Sequence, residues 1–463
     1  MVRRRLTPGA VIDGFTLGEV VHKGGMAMLL SVTHPDHDLP MLMKVPLLFE
    51  GEDPAAIVGF EMEQMILPRL KGPHVPRFIA TAGFDAQPYI VMEQVDGVSA
   101  DTLLPRCPLP VEEIAAFGAA VATALADLHA QQVVHLDIKP ANILLRPDGS
   151  AVLIDFGLSR HDRLPDLMQE EFRLPYGSAP YMAPEQVLGE RGDPHSDLFA
   201  LGAVLYQLTT GVWAFDNEQR LPAMKRRLWR DPEPPRRRRP DCPPWLQEVI
   251  LRCLEVDPAR RHPTAAQLAF DLRHPDQVML TPRAQKLARD GLAAVLKRRF
   301  NPDPMAPRPA GASAQLAAAP IIAVAIELPA ASGALDEAMR RAVERIMATV
   351  PEARVACLNV LRTSLLSIDT TLDAAGENRH VQRLVELRHW AAPLRLEEER
   401  LTFHVLEALS PAAAILEYAE ANRVDHLILG ARPHSMQRRL LGSVSGEVAA
   451  WAPCSVTVVR AKA

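Results

Sequence analysis

The sequence predicts two folded units: an α+β front portion, in which a strand-rich part precedes a helix-rich part, and an α/β back portion. The front portion starts with short β-like runs such as FTLGEVV, MLLSV, MLMKV and YIVMEQV, with one helical stretch at about 55–70. After Pro110, apolar residues recur every three or four positions, as in VEEIAAFGAAVATALADLHA. Beyond position 320, apolar runs such as IIAVAIEL and DHLILGA alternate with helical segments, which indicates a parallel sheet.

Length and composition are those of a globular protein with two or three domains. The chain has 463 residues, of which 48% are hydrophobic and 23% charged. Its 51 Lys and Arg residues against 56 Asp and Glu residues give a net charge of −5, so the whole chain has no attraction to nucleic acid or to an anionic membrane. The longest apolar run, 316–326, is well short of the roughly 20 residues that span a bilayer. We therefore expect neither nucleic acid nor a membrane as a partner.

The cysteines and the N-terminus indicate a cytoplasmic protein. The basic start MVRRRLTPGA is not followed by the apolar stretch of a secretory signal. The five cysteines are scattered and form no CxxC pair, which predicts free thiols in a reducing compartment rather than a disulfide framework or a zinc site. They are Cys107, Cys242, Cys253, Cys357 and Cys454.

Two proline-rich stretches stand out from the rest of the chain. The stretch at 301–320 is rich in Pro, Ala and Gly, which is typical of a linker. Together with a predicted helical connector at roughly 281–300, it separates the front portion from the back portion. In the stretch 222–244, proline and arginine alternate, which predicts a solvated surface loop, with a docking patch for an acidic partner as the alternative.

Three motifs of the front portion carry chemistry: HLDIKPANILL at 135–145, IDFGLS at 154–159 and APYMAPEQ at 179–186. A single aspartate in a loop is usually a turn residue or a helix cap. The joint pattern is different, because HxDxKxxN is followed by DFG thirteen residues after Asn142 and by APE, which ends thirty residues after Asp155. On these motifs, the front portion resembles a serine/threonine protein kinase of the bacterial type.

The resemblance implies a role for each polar residue of these motifs. Phosphoryl transfer depends mostly on positioning and on neutralising phosphate charge. Asp137 would accept the proton of the substrate hydroxyl, and Lys139 would contact the transferring phosphate. Asn142 and Asp155 would hold the Mg²⁺ ions that bridge the phosphates of ATP. ATP and Mg²⁺ are thus the implied cofactors, and Ser/Thr hydroxyls of proteins, this one included, are the implied substrates.

Residues upstream complete the ATP site that the resemblance implies. Lys44, in MLMKVP, fits the strand lysine that contacts the α- and β-phosphates. Glu63 fits the helix glutamate that pairs with this lysine. The backbone groups of Glu93 and Val95 would meet the edge of the adenine ring.

The phosphate-binding loop departs from the family pattern GxGxxGxV. The aligned residues, 22–29, read HKGGMAML, so that His22 and Ala27 take the outer glycine places. Glycine lets backbone amides approach phosphate, and the added β-carbons should stiffen or lift the loop. We therefore expect weakened ATP binding. The residues of this region that the resemblance assigns to ATP are Val21, Gly24, Gly25 and Leu29.

A second departure concerns the activation segment at 155–185. Leu136 stands where most kinases of this family place an arginine that pairs with a phosphate on this segment. The segment contains no threonine, and Ser178 takes the place usually held by one shortly before APE. We therefore predict an activity that does not depend on phosphorylation of the activation segment.

Two further matches imply internal supports rather than chemistry. Asp197 and Gly202, in DLFALGAVLYQL, match the helix whose aspartate caps the catalytic loop in this family. Arg261, in DPARRHPTA, is the implied partner of Glu185. Both matches support the fold more than the activity.

The end of the chain carries a separate resemblance. VDHLILGARPHSMQRRLLGSVSGEVAAWAPCSVTVVR at 424–460 resembles the C-terminal signature of universal stress proteins, which form an α/β domain with a five-stranded parallel sheet. In that family, such glycines and a helix start bind ATP, and here Gly430, Gly442 and Ser443 match them. The family's acidic residue at the end of the first strand is missing at 325 and 326. A nucleotide site and a regulatory or dimerising module, with a homodimer through this domain, are the two interpretations.

The resemblances together predict an α+β bilobal protein-kinase fold followed by an α/β universal-stress-type domain. The predicted function is a serine/threonine protein kinase with a C-terminal regulatory domain. The alternative is a pseudokinase that acts as a nucleotide- or partner-binding switch, and a small-molecule phosphotransferase is the third interpretation. The predicted ranges are 10–275 for the kinase domain (small lobe about 10–95, large lobe about 96–275), 276–317 for the connector and linker, and 318–463 for the stress-type domain.

Overall fold

The computed structural model shows a strand-rich lobe, a larger helical lobe and an α/β domain, in the order that the sequence predicts. Among the described residues, no helix combines the length and the apolar character needed to cross a membrane. The predicted linker at 301–319 lies outside the described residues. The structure describes residues 6–24, 27–47, 54–172, 174–215, 217–218, 220–300, 320–328, 333–363, 378–397, 400–431 and 443–460.

The small lobe is an antiparallel sheet with one helix packed against it. Its elements are β1 (Val11–Ile12), β2 (Phe15–Lys23), β3 (Ala27–His34), β4 (His37–Pro46), α1 (Pro54–Ile66), β5 (Phe78–Ala82) and β6 (Tyr89–Glu93). The strands lie in the order β1-β2-β3-β4-β6-β5. Since side chains of a strand alternate between its two faces, Met43 and Val45 of β4 enter the apolar core while Lys44 lies on the other face, towards α1.

The large lobe is built around one central helix. Its strands are β7 (Val98–Ser99), β8 (Val133–Val134), β9 (Ile143–Leu145), β10 (Ala151–Leu153) and β11 (Arg160–His161). Its helices are α2 (Val111–Ala130), α3 (Leu167–Glu171), α4 (Pro184–Val187), α5 (His195–Thr210), α6 (Leu221–Met224), α7 (Pro235–Arg238), α8 (Pro244–Cys253), α9 (Ala265–Arg273) and α10 (Leu292–Phe300).

The central helix is α5, which is buried on nearly every side. It ends at Gly211, whose φ of 77° is the left-handed conformation that glycine adopts readily at a helix end. Gly202 permits the close approach of α8, because a β-carbon at Gly202 would lie 2.4 Å from the Cβ atom of Cys253. The core of this lobe therefore holds α5 in place, and α5 carries Asp197 towards the catalytic loop.

The C-terminal domain is a parallel sheet covered by helices on both faces. Its elements are β12 (Ile321–Ala325), α11 (Gly333–Thr349), β13 (Arg354–Arg362), α12 (Arg379–Ala391), β14 (Leu401–Ala408), α13 (Pro411–Ala421), β15 (His426–Gly430), α14 (Ser443–Trp451) and β16 (Ser455–Val459). The five strands lie in the order β14-β13-β12-β15-β16, and all neighbouring pairs are parallel. Helices α11 and α12 cover one face, and α13 and α14 cover the other.

Two sequence expectations need correction. The connector predicted at 281–300 is helical only in part, since a 3₁₀ turn at Pro282–Gln285 precedes α10. The arginines of the stretch 222–244 are not all solvated: Arg227 is 3% exposed and donates to the Met182 carbonyl, and Arg239 donates to the Leu109 carbonyl at 2.7 Å. Their side chains point inward because buried carbonyl groups need hydrogen-bond donors. The alternation of Pro and Arg in the sequence does not show where those carbonyl groups lie.

Candidate active site

The catalytic loop, residues 135–142, follows β8 and is supported from below by α5. The carboxylate of Asp197 accepts hydrogen bonds from the backbone N–H groups of His135 at 2.9 Å and Leu136 at 2.8 Å. Leu136 has a φ of 65°, a conformation that costs free energy for a non-glycine residue and persists only where its surroundings hold it. The predicted role of Asp197 as an internal support is confirmed.

Asp137 lies in this loop with its carboxylate held from three sides. Lys139 Nζ donates to Asp137 Oδ2 at 2.7 Å, and Asn142 Nδ2 donates to the same oxygen at 3.0 Å and to the Asp137 carbonyl at 2.9 Å. The backbone N–H of Ser178 donates to Asp137 Oδ1 at 3.2 Å. The side chain is 7% exposed. The carboxylate is therefore oriented before any substrate arrives, as a general base requires.

Lys44 joins the small lobe to the start of the activation segment. Its ammonium group lies 2.5 Å from Glu63 Oε2 and 2.8 Å from Asp155 Oδ1. Burial opposes the charge of Lys44, yet the carboxylates of Asp155 and Glu63 raise its pKa above the ordinary value. The same ammonium lowers the pKa of Asp155 to about 2, so this carboxylate is ionised at neutral pH. The pairing of Lys44 with Glu63 that the sequence predicts is confirmed.

Helix α1 packs directly against the DFG residues. A β-carbon at Gly157 would lie 3.1 Å from the Gly59 carbonyl oxygen, so the two backbones meet where neither residue has a side chain. Phe156 is fully buried beside the ring of His135, with 5.2 Å between the ring centroids. This packing keeps α1 close to the cleft, and with it Glu63.

Asn142 and Asp155 offer the donor set that Mg²⁺ prefers. The Asp155 side chain is 46% exposed, and its carboxylate is ionised. The amide nitrogen of Asn142 is used by Asp137, which turns its amide oxygen away from that residue. Ile154 N donates to the Asn142 carbonyl at 3.0 Å, which ties the two loops together. Because Mg²⁺ binds through one or two protein oxygens together with phosphates and water, these two residues fit the ion.

The predicted phosphate loop is the hairpin between β2 and β3. Val21 is 50% exposed on β2, and Gly24 N donates to the Ala27 carbonyl at 3.0 Å. Leu29 on β3 pairs with Lys44 on β4, which places this hairpin beside the lysine. Gly25 lies outside the described residues. Val21, Gly24 and Leu29 are therefore brought to the edge of the cleft, and their contact with ATP stays a prediction.

Glu93 and Val95 lie in the segment that connects the lobes. Glu93 is the last residue of β6, and its backbone N–H donates to the Arg77 carbonyl at 2.8 Å. Its side chain accepts a hydrogen bond from Arg146 at 3.2 Å. Val95 follows with a half-buried side chain. The predicted contacts with adenine use backbone groups of this segment, and they stay a prediction.

A second support of the activation segment was missed in the sequence. Arg191, 8% exposed, donates from Nε to Asp166 Oδ2 at 2.8 Å and from Nη2 to the Leu158 carbonyl at 2.8 Å. Asp166 in turn caps α3, because its side chain accepts a hydrogen bond from Gln169 N. Arg191 therefore holds two points of the segment. The sequence shows Arg191 six residues after Glu185, but no neighbouring pattern identifies Asp166 and Leu158 as its partners.

The predicted second nucleotide site is described only in part. Gly430 ends β15, next to the end of β12, and Ser443 begins α14. Gly442 lies outside the described residues. Glu327 lies just beyond the end of β12 at Ala325 and is exposed, so an acidic residue does stand near this strand end.

Comparisons with known proteins agree with this geometry. The family model described as Protein kinase domain matches residues 15–272, and the one described as Universal stress protein family matches residues 320–460. Serine/threonine-protein kinase PknB of Mycolicibacterium smegmatis is 32% identical over 331 residues, which are 67% of this chain and 51% of the relative. Serine/threonine-protein kinase pkn3 of Myxococcus xanthus is 31% identical over 273 residues, 56% of this chain and 49% of the relative.

The chain spans about half the length of these curated relatives. Among solved structures, the kinase domain of Mycobacterium tuberculosis PknI is 27% identical, with a TM-score of 0.46, over 58% of this chain and 99% of that domain. The match to the kinase family model extends over more than half of the residues. The chain, which has a universal-stress-type domain behind its kinase domain, therefore belongs to the protein kinase family.

Proposed function

We propose that the protein is a serine/threonine protein kinase that transfers the γ-phosphate of ATP to hydroxyl groups of proteins, its own included. The observation that carries the proposal is the oriented Asp137 carboxylate, which lies in one cleft with the Lys44, Glu63 and Asp155 ion network. The relatives named serine/threonine-protein kinase support the same reaction.

Each residue of the cleft has a step that its geometry suits. Asp137 accepts the proton of the substrate hydroxyl, since Lys139 and Asn142 keep its Oδ2 in place. Lys139, whose ammonium group lies 2.7 Å from this carboxylate, neutralises the negative charge that develops on the transferred group. Lys44 orients the phosphates, and Glu63 orients Lys44. When bound, Mg-ATP supplies the phosphoryl group, and Asn142 and Asp155 hold the metal.

The pseudokinase alternative is less well supported. A protein that only binds nucleotide has no need of a buried carboxylate held by three donors, and Asp137 is such a group. A small-molecule phosphotransferase is disfavoured by APE and by the residues that follow it. Glu185, the last residue of APE, joins α4 to the rest of the large lobe through Arg261. Protein substrates are therefore the proposed class.

The direct test is transfer of label from γ-labelled ATP by the 463-residue chain with Mg²⁺, to itself and to a generic basic protein. The matched variant is Asp155→Ala, which removes the carboxylate proposed to hold the metal. We expect label with the wild type and none above background with the variant. A folded wild type that binds ATP but transfers no label would favour the pseudokinase.

Restoring glycine in the phosphate loop should strengthen ATP binding. In the variant His22→Gly/Ala27→Gly, the backbone amides of the loop can approach the phosphates more closely. We expect a lower Kd for ATP than in the wild type, measured by calorimetric titration in the presence of Mg²⁺. Equal affinities of the two proteins would show that the two side chains do not hinder the loop.

A phosphate on Ser178 should inhibit rather than activate. The backbone N–H of Ser178 donates to Asp137 Oδ1. A phosphate on the Ser178 side chain would add a charge of about −1.5 to −2 close to a carboxylate that must accept a proton. We expect a lower rate from protein with phosphoserine installed at 178, compared with unmodified protein. Clear stimulation would contradict both this expectation and the predicted independence from activation-segment phosphorylation.

A further inference from the structure

The activation segment contacts the C-terminal domain through the short helix α3. Two consecutive glutamates at the end of α3 point into that domain and are almost inaccessible, with Glu170 6% exposed and the Glu171 side chain 5% exposed. Burying two carboxylates is strongly unfavourable unless both are paired. The partners of these two residues therefore decide whether α3 can stay where it is.

Glu170 is bound by side chains from three elements of the C-terminal domain. Arg354 of β13 lies 2.6 Å from Glu170 Oε1, and His404 Nε2 of β14 lies 3.1 Å from Oε2. The hydroxyl of Tyr418, on α13, donates to Oε2 at 3.1 Å. Asn422 Nδ2 donates to the backbone carbonyl of Glu170 at 3.1 Å. The C-terminal domain thus binds α3 through both the side chain and the backbone of Glu170.

A second positive charge neutralises Glu171. The Nδ1 atom of His404 lies 3.5 Å from Glu171 Oε2, and His380 Nε2 lies 3.8 Å from Oε1. Burial disfavours the charged ring, but the carboxylates of Glu170 and Glu171, 3.1 and 3.5 Å from its nitrogens, raise the pKa of His404 to about 9. The ring therefore carries a proton at neutral pH, and Arg354 and His404 together balance the two glutamates.

The same domain also contacts the small lobe at α1. Arg388 of α12 lies 2.5 Å from Glu61 Oε1, and Glu61 is 5% exposed. Glu61 stands two residues before Glu63, which pairs with Lys44. His389 lies 3.5 Å from Asp85, in the connection between β5 and β6. The C-terminal domain thus binds both α1 and the activation segment.

Many kinases hold these two elements by pairing a phosphate on the activation segment with an arginine of the catalytic loop. This chain has Leu136 at that place in the loop, and its activation segment contains no threonine. The structure shows the reverse arrangement of charges. Here the activation segment contributes the permanent carboxylate of Glu170, and another domain contributes the cation.

We propose that the C-terminal domain positions the activation segment for phosphate transfer, with Arg354, His404 and Tyr418 holding Glu170 in place of a phosphate–arginine pair. The inference rests on the proposed kinase function. In this arrangement, Glu170 is a positioning residue that acts through the activation segment, and the segment orients Asp137 through the backbone of Ser178. The universal-stress-type domain is then a part of the active enzyme rather than a separate module.

The test uses the 463-residue chain with Arg354→Met, which removes the charge and keeps much of the side-chain volume. The matched control is Arg400→Met, since Arg400 binds only within its own domain, at the Ala353 carbonyl, in the contacts described. Tyr418→Phe is a milder second variant, and Arg354→Lys is the conservative one. The first readout is steady-state kinetics, which gives kcat and KM for ATP. The second is hydrogen exchange at the backbone amides of Glu170 and Phe172, which donate to the carbonyl groups of Asp166 and Met168.

We expect kcat to be lower by up to about 10²-fold in Arg354→Met, the cost of misplacing a catalytic group by a distant mutation, with KM for ATP little changed. Exchange at Glu170 and Phe172 should rise, while exchange in β12 stays as in the wild type. Tyr418→Phe should show the same changes to a smaller degree, and Arg354→Lys should restore much of the rate. Arg400→Met should behave as the wild type.

Two outcomes would overturn the inference: an Arg354→Met protein with the wild-type kcat and exchange, or equal losses in Arg354→Met and Arg400→Met. The exchange readout also separates this inference from the proposed function. If the wild type transfers no phosphate, the kinase function fails. A rise of hydrogen exchange confined to α3 in Arg354→Met would then still show that the C-terminal domain holds the activation segment. Unchanged exchange in this variant would refute it.

Discussion

Replacing Asp137 with asparagine should lower kcat for phosphate transfer by about 10²- to 10⁴-fold, the usual contribution of a general base. The reason is geometric. Asparagine has nearly the shape of aspartate, so the contacts from Lys139 and Ser178 can persist in part, but its amide does not accept the proton of the substrate hydroxyl. Since Asp137 is not among the residues proposed to hold Mg-ATP, the affinity for ATP should change little.

The measurement is a steady-state assay with labelled ATP and a protein substrate, together with an ATP titration of each variant. Asp36→Asn is the matched control, because Asp36 is 85% exposed in the turn between β3 and β4 and has no proposed role in the cleft. This control should keep the wild-type kcat. A variant Asp137→Asn with more than a tenth of the wild-type kcat would rule out a general-base role for this carboxylate.

Replacing Arg261 with methionine should destabilise the large lobe by about 3–5 kcal/mol, the range seen when one partner of a buried ion pair is removed. Arg261 is 2% exposed and binds Glu185 through two parallel hydrogen bonds of 2.6 and 2.7 Å. It also donates to the carbonyl groups of His195 at 2.8 Å and Glu255 at 2.9 Å. Without it, the one side chain among the described residues that still donates to the buried Glu185 carboxylate is the Ser196 hydroxyl.

The matched control for this prediction is the neighbouring residue. Arg260 is 65% exposed and lies 3.8 Å from Glu255, so Arg260→Met should change the free energy of unfolding by at most about 1 kcal/mol. Urea denaturation of the two variants and the wild type gives the comparison. A loss below about 1 kcal/mol in Arg261→Met, less than for a typical buried pair, would contradict the structural role assigned here.

The parts of the site that the sequence predicts are those in which chemistry demands a residue type at a fixed spacing. Lys44 and Glu63 stand nineteen residues apart, and the structure joins them because a strand and a facing helix of ordinary length span that distance. The resemblance of DLFALGAVLYQL to the kinase family predicts Asp197 as the cap of the catalytic loop, and its hydrogen bonds to His135 and Leu136 confirm this. The alternation of strands and helices likewise predicted the parallel sheet of the C-terminal domain.

The contact between the two domains was not predictable from local patterns. Glu170 and Tyr418 are 248 residues apart, and the intervening chain includes the proline-rich linker. Two adjacent glutamates in LPDLMQEEFRLP are usually read as a solvated face, because charged residues are rarely buried. Only the position of Arg354 and His404 shows that this acidic pair is internal, and that position depends on how whole domains pack.

The most direct test of the account is the time course of substrate phosphorylation by protein that carries no phosphate. The 463-residue chain is treated with a phosphatase, which is then removed, and the intact mass is checked before Mg-ATP is added. Because Glu170 and the C-terminal domain already hold the activation segment, we predict full rate from the first turnovers. A lag that disappears after preincubation with ATP, or no transfer at all, would contradict the account.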